Sequence, residues 1–312
     1  MNKKISITFF IEGQEHLRFV LSYILICKDL GFKIVVISLE SLDLDISDVE
    51  INIINQSNLR ESFKNICTDW MFTTTPGVGS FYFPKSKKGI INKRTKYVYL
   101  FHSLVSPNEV YLDKSFEKFD VILSPNRLIT EQLKYVTSKN VKTFTVGYPV
   151  LGQYQKNTKF TNKKTVLIAP SWGEESFLLD HKFMEKLVKS ILKIYDKIII
   201  RPHPMHLLKL QKQKKFKNPK ITYDFDKNLD YLNDVQMLVT DWSGISLEYY
   251  FLTNNKLIFI DGPKKIRRKL SKQEKGIELI EDKIRNIIGT TMNKNEDLGN
   301  LLNKNISIRE SF

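Results

Sequence analysis

The sequence predicts an α/β protein built of two doubly wound halves, and three observations carry that expectation. The chain opens as strand, helix, strand; the alternation breaks near the middle; and the same alternation then restarts. Ile5–Ile11 is a β-rich apolar run, Glu15–Leu30 carries apolar residues at helical spacing, and Gly31 is placed to stop that helix. Phe32–Ser38 is a second buried strand, so the opening is a βαβ unit, which favours a parallel sheet with right-handed crossovers. Strand-like runs follow at Val49–Ile54, Trp70–Thr73, Tyr97–Phe101, Val121–Leu123 and Thr143–Val146, with a helical stretch at Leu128–Val136. Around Gly147-Tyr148-Pro149 the pattern breaks, and Gln153–Lys164 is polar, lysine-rich and without periodicity, as a linker would be.

Beyond the linker, Thr165–Ala169 reads as a buried strand, His181–Tyr195 as a helix and Lys197–Ile200 as a strand. Leu229–Asn233 begins a short helix, Met237–Thr240 is a strand, Ile245–Leu252 a helix and Lys256–Ile260 a strand. Two such halves describe a GT-B-like architecture, in which two Rossmann-like doubly wound domains face a central cleft. The expected domains are residues 1–155 and 156–312, the second with C-terminal helices. Ligands in such sheets bind beyond the carboxyl ends of the strands.

Composition narrows the function. With 312 residues, 42% of them hydrophobic, the chain can bury large cores, which excludes intrinsic disorder. The 49 Lys and Arg against 34 Asp and Glu give a net charge of +15, which points to an anionic partner: nucleic acid, a membrane surface or a phosphorylated substrate. Cys27 and Cys67 stand far apart, without a metal-binding or disulfide pattern, as in a reduced cytoplasmic protein. The longest apolar run besides the first strand, Phe19–Cys27, is half what a bilayer needs, so membrane contact is expected to be peripheral. No P-loop, H-E-x-x-H or G-x-S-x-G motif is present.

The polar residues that stand out fall at strand ends. Tyr97–Phe101 ends in His102-Ser103, and histidine takes a proton near neutral pH without a large shift. Ile198–Ile200 ends in Arg201-Pro202-His203-Pro204, where prolines stiffen a loop carrying cationic and proton-donating groups. Thr240-Asp241-Trp242-Ser243-Gly244 leads from a strand into a helix, a position suited to an anion, and Glu248 comes one turn later, where a carboxylate could accept hydrogen bonds from a ribose. Ala169-Pro170-Ser171-Trp172-Gly173 ends another strand, and its Ser171 and Gly173 would let a phosphate approach the backbone. His16 and His181, at helix starts, read as solvated or capping, and Trp70 and Trp172 as core. The lysine runs at Lys209–Lys220 and Lys264–Lys269 read as solvated faces, or as a dock for anionic head groups or a polyanionic acceptor.

With His102-Ser103, Arg201-Pro-His203-Pro and Thr240-Asp-Trp-Ser-Gly244 in this order, the chain resembles the CDP-glycerol glycerophosphotransferase family of teichoic-acid and capsule enzymes. The likeness runs from about Tyr97 to Arg268 and includes Gly147-Tyr-Pro149, Ala169–Gly173 and Phe259–Lys264. The family's polymerases have His-Gly at His102-Ser103, Ser-Ser at Ser243-Gly244, and an additional N-terminal membrane-targeting region.

The resemblance implies a GT-B fold and transfer of a glycerol-phosphate unit from a CDP-linked donor to a hydroxyl of a cell-surface glycan or lipid-linked acceptor. It implies an acceptor-side first domain and a donor-binding second domain. His102 would be the base and His203 would assist at the pyrophosphate. Arg201, Asp241, Ser243, Gly244, Ser171 and Gly173 would hold the donor, and Glu248 its ribose. No cofactor or metal is expected. The expected location is cytoplasmic, peripheral on the inner face of the membrane, with an anionic membrane surface as a further partner and no nucleic acid. Competing readings are a GT-B glycosyltransferase using a CMP-linked acidic sugar and a nucleotide-sugar 2-epimerase, which would need more carboxylates. From other classes come a basic nucleic-acid-binding protein, which lacks a recognition signature, and a degenerate scaffold.

Overall fold

The computed structural model describes residues 5–301 except 56, 58–62, 64–65, 79–93, 139, 155–163, 207–215, 226–229, 256, 265–269, 272–273, 275, 278, 297–298 and 300. Most of the expected linker and much of both lysine runs lie outside the described residues. The chain divides into two compact units: Met1–Gln153 with Ile266–Ile277, and Tyr154–Lys265 with Glu278–Phe312.

The first unit carries seven parallel strands: β1 (Ser6–Ile11), β2 (Lys33–Ser38), β3 (Val49–Ile53), β4 (Trp70–Thr73), β5 (Lys96–Leu100), β6 (Val121–Ser124) and β7 (Lys142–Thr145). Their order is β3-β2-β1-β4-β5-β6-β7, so the winding reverses between β1 and β4. Helix Gln14–Asp29 covers one face. Its Leu17, Val20, Ile24 and Cys27 recur at intervals of three and four and pack with Ile7, Phe9, Ile11, Val36 and Leu100. Gly31 ends the helix as the sequence predicts: at φ +76 it lets its own N–H reach Lys28 O and that of Phe32 reach Cys27 O, a Schellman closure.

The second unit carries six parallel strands: β8 (Thr165–Ile168), β9 (Lys197–Ile200), β10 (Ile221–Tyr223), β11 (Met237–Thr240), β12 (Leu257–Ile260) and β13 (Gly289–Met292). The order β10-β9-β8-β11-β12-β13 reverses between β8 and β11. Every residue of β8, β11 and β12 is buried, which explains why these runs are continuously apolar rather than alternating. Asp180 caps helix His181–Ile191 by accepting the Phe183 N–H, and the stripe Phe183, Met184, Leu187, Val188 and Ile191 packs on the sheet. The helix stops at Ile191, four residues short of the expected Tyr195, because the chain turns there to enter β9; Tyr195 is buried all the same.

Two edge strands were not legible in the sequence. Ile221–Tyr223 is only three residues long, and Gly289-Thr-Thr-Met292 lacks an apolar run. Gly289 pairs with Leu257, and a Cβ there would stand 2.3 Å from Leu257 O. Gly289→Ala is therefore expected to destabilise the second unit by about 2–3 kcal/mol, read as a lower Tm, through backbone displacement that no rotamer can relieve. Among the described residues no helix is long and apolar enough to cross a membrane.

Candidate functional site

Each sheet gathers its unusual polar residues where its winding reverses. In the first unit β1 and β4 pair only as far as Phe10 and Thr73, and the chains then diverge. Side chains take over the connection: Thr75 Oγ1 donates to Glu12 at 2.8 Å, and His16 Nδ1 lies 2.7 Å from Thr74 Oγ1. His102, just beyond β5, stands beside this pair, its ring centroid 5.6 Å from that of His16 and 5.8 Å from that of Phe19. His102 Nδ1 is 3.1 Å from Tyr99 Oη, which is 2.9 Å from Tyr111 Oη. Burial pushes both phenols up, Tyr111 to about 12 and Tyr99 well above its ordinary value, so both keep their protons at neutral pH.

The N-terminus of helix Gln14–Asp29 is already met by an anion. Glu40 Oε1 accepts the Gln14 N–H at 2.8 Å, and a Cβ on Gly13 would come within 2.5 Å of that oxygen.

In the second unit the same constraint recurs between β8 and β11. Thr240 Oγ1 donates to Ala169 O at 2.7 Å, and Asp241 Oδ1 accepts the Ser171 N–H at 2.7 Å. His206, buried at 2% exposure, clasps the next turn, its Nε2 lying 3.0 Å from Gly173 N and 2.9 Å from Gly173 O. Gly173 itself has φ +129, a value side-chain-bearing residues rarely adopt. On this stretch of backbone, which the sequence offers to a phosphate, the Ser171 N–H is thus engaged by Asp241, and His206 Nε2 meets Gly173 at either its N–H or its carbonyl. They shape the loop.

Arg201 pairs with Asp224 and also reaches Tyr231 Oη at 3.2 Å, tying the ends of β9 and β10. His203 Nδ1 accepts the Met205 N–H at 3.2 Å, so a neutral His203 carries its proton on Nε2 and donates from there. Its ring is 6.4 Å from that of Trp172. Ser243 and Gly244 lead into helix Ile245–Thr253, whose N-terminus has no side-chain cap bond. Glu248 lies in that helix at 4% exposure.

A cavity of about 200 Å³ opens beyond the carboxyl ends of β8, β11 and β12. Ser171–Phe177, Asp241-Trp242, Ile260–Lys264 and Lys294 line it. Trp172, expected in the core, lines this cavity instead. So does Trp242, which donates Nε1–H to Gly262 O at 2.8 Å. Behind it the Arg285 guanidinium stacks 3.8 Å from the Trp242 centroid and 4.8 Å from that of Phe259. Burial lowers the Arg285 pKa, while Asp261, Asp241 and Asp282 oppose that shift. Sequence reasoning missed Arg285, because an arginine in an amphipathic C-terminal helix looks like any surface residue. It also missed His16 as a neighbour of His102. Both stand against residues distant in sequence that only the fold brings near. Among the described residues no three His, Cys, Asp or Glu side chains group as metal ligands.

Asp241→Ala strips the buried Ser171 N–H of its acceptor, an expected loss of about 1–3 kcal/mol. Thermal denaturation should show a lower Tm, whereas Asp241→Asn, which keeps one oxygen acceptor, should be markedly milder.

The sequence model of the CDP-glycerol:poly(glycerophosphate) glycerophosphotransferase family matches residues 93–262, more than half of the chain. No curated protein sequence matches. Among solved structures, one of the wall teichoic acid polymerase TagF, soaked with CDPG, superposes with a TM-score of 0.65 at 15% identity, covering 98% of this chain and 82% of that one. A structure from Listeria monocytogenes described as a UDP-N-acetylglucosamine 2-epimerase gives 0.54 at 12% identity, covering 84% and 80%. The glycotransferase of kitacinnamycin gives 0.51 at 8% identity, covering 99% and 92%. At these identities the likenesses speak for the fold alone, which is GT-B-like, with two Rossmann-like units. With a histidine closing β5, a proline-bound His203 closing β9 and the Asp241 turn closing β11, all within the matched segment, the chain belongs to the CDP-glycerol:poly(glycerophosphate) glycerophosphotransferase family.

Proposed function

We propose that this enzyme transfers glycerol phosphate from CDP-glycerol to a hydroxyl of a lipid-linked or glycan acceptor. The observation that carries this reading is the family match over residues 93–262, which spans His102, His203 and the Asp241–Gly244 turn. The donor's nucleotide occupies the second unit. Its diphosphate lies toward the uncapped helix turn at Ser243-Gly244, with His203 Nε2–H as a further donor. Arg201, held by Asp224, contributes its charge rather than a free fork, and Asp241 acts by shaping the Ser171 loop.

The acceptor hydroxyl gives its proton to His102 as its oxygen attacks the phosphorus that bears glycerol. The bond from that phosphorus to the bridging oxygen breaks, and the electron pair leaves on CMP. No step calls on a cofactor. A base of this kind contributes roughly 10²–10⁴-fold, and orienting the two substrates supplies more. The basic stretches at 209–220 and 264–269 suit an anionic membrane face or a phosphate-bearing acceptor, which would keep the enzyme peripheral to the inner leaflet.

The test is a donor panel of CDP-glycerol, CMP-linked acidic sugars and UDP-sugars, scored by nucleotide release with a lipid-linked acceptor present. CMP release from CDP-glycerol alone is expected. Release only from a CMP-sugar would replace this reading with a glycosyltransferase. His102→Ala should lower kcat about 10²–10⁴-fold with folding unchanged. Near-normal turnover by that variant removes His102 from the base role.

A further inference from the structure

Helix Ile280–Ile288 turns an arginine inward. Its buried residues are Ile280, Arg285 and Ile288, with Arg285 at 5% exposure, whereas Ile287 on the same helix stands 68% exposed. Trp242 and Phe259 cover the guanidinium, its Cζ lying 3.8 and 4.8 Å from their ring centroids. The edge of the group is not served in the same way: Nε and Nη2 are buried without a hydrogen-bond acceptor. A buried cation in that state costs stability, and an apolar side chain of similar volume in the same slot would cost less. Packing therefore does not account for an arginine at this position, and its charge must.

Burial lowers the pKa of that group, and the nearby carboxylates of Asp261, Asp241 and Asp282 oppose the shift. Asp282 already pairs with Lys264, and Lys294, the other lysine lining the cavity, pairs with Asp180. Asp241 and Asp261 directly follow the neighbouring strands β11 and β12. Asp241 accepts the Ser171 N–H and leads into the Trp242-Ser243-Gly244 turn, toward which the donor's diphosphate is proposed to lie. Two fixed carboxylates at these strand ends would repel a diphosphate. Arg285 opposes that repulsion from a buried position, where salt screens its field less than that of a surface lysine.

We infer that Arg285 is a positioning residue for the donor, a buried counter-charge that offsets Asp241 and Asp261 and holds Trp242 beside the diphosphate turn. It does not touch substrate. The indole is fixed from two directions, by the guanidinium on its face and by its Nε1–H donated to Gly262 O at 2.8 Å. Arg285 lies outside the family-matched segment, residues 93–262. The inference rests on the donor reading proposed above, and it adds that the second unit gives up stability to receive an anion.

The test compares the wild-type enzyme with Arg285→Met and Arg285→Lys, by thermal denaturation and by calorimetric titration with CDP and with cytidine. Met fills the slot between the two rings without charge, so the Tm of Arg285→Met is expected to equal or exceed that of the wild type. Its binding of CDP should be about tenfold weaker, while cytidine, which carries no phosphate, should bind within about twofold of the wild type. Arg285→Lys restores the charge without the planar stack and should recover most of the CDP affinity.

Unchanged CDP binding by Arg285→Met overturns the inference. So does a lower Tm in that variant, or a parallel loss of CDP and cytidine binding, since either marks a role in packing. A wild type that binds UDP and not CDP overturns the donor reading instead. The same comparison, made with UDP against uridine, then decides the inference, and the two failures are thereby told apart.

Discussion

Where a doubly wound sheet reverses its order, the two central strands stay paired but the chains leaving them diverge, and side chains bridge the gap that opens beyond the last backbone pair. Both units meet this constraint in the same way. In the first, Glu12 and His16 reach Thr75 and Thr74 across the ends of β1 and β4. In the second, Thr240 and Asp241 reach Ala169 and Ser171 across the ends of β11 and β8. These bridges are polar because the unpaired groups are backbone N–H, carbonyl and hydroxyl, and they are buried, so leaving one unmade would be costly. The same polar side chains that complete the fold thereby stand where a ligand would arrive.

This overlap explains how much of the site was legible in the sequence. His102, Arg201, His203 and Asp241 could be found because each directly follows an apolar strand, and strand ends are visible in one dimension. Their partners could not be found. Asp224 beside Arg201, Gly173 beside His206 and Tyr111 beside Tyr99 are separated by 23, 33 and 12 residues, and only the fold brings them together. The sequence therefore offers the backbone at Ser171 and Gly173 to a phosphate, whereas the fold turns the Ser171 N–H to Asp241 and sets His206 against Gly173. His16 was passed over because a histidine in the first turn of a helix looks the same whether it faces solvent or the end of a neighbouring strand. Trp172 was placed in the core on residue type alone, and it lines the cavity.

The fold itself was more legible than the site. The continuous apolar runs of β8, β11 and β12 could only be strands buried on both faces, and Gly31 could only end a helix in a left-handed turn. The edge strands were hidden because an edge is paired on one side and needs little apolar surface. Gly289 shows the complement: what matters there is the absent Cβ that lets β13 close against Leu257, a property of the pairing partner rather than of the residue.

The two halves share a plan, and Glu40 is part of it. Its carboxylate already sits at the N-terminus of helix Gln14–Asp29, where an arriving phosphate would meet like charge. In the second unit the helix that follows β8, His181–Ile191, is likewise met by a carboxylate, that of Asp180, whereas the turn at Gly244, after β11, carries no side-chain cap. Fixed carboxylates thus stand at the N-termini of the helices that follow the first strand of each unit, and of the three helix starts it is the one at Gly244 that meets an arriving anion without a capping carboxylate.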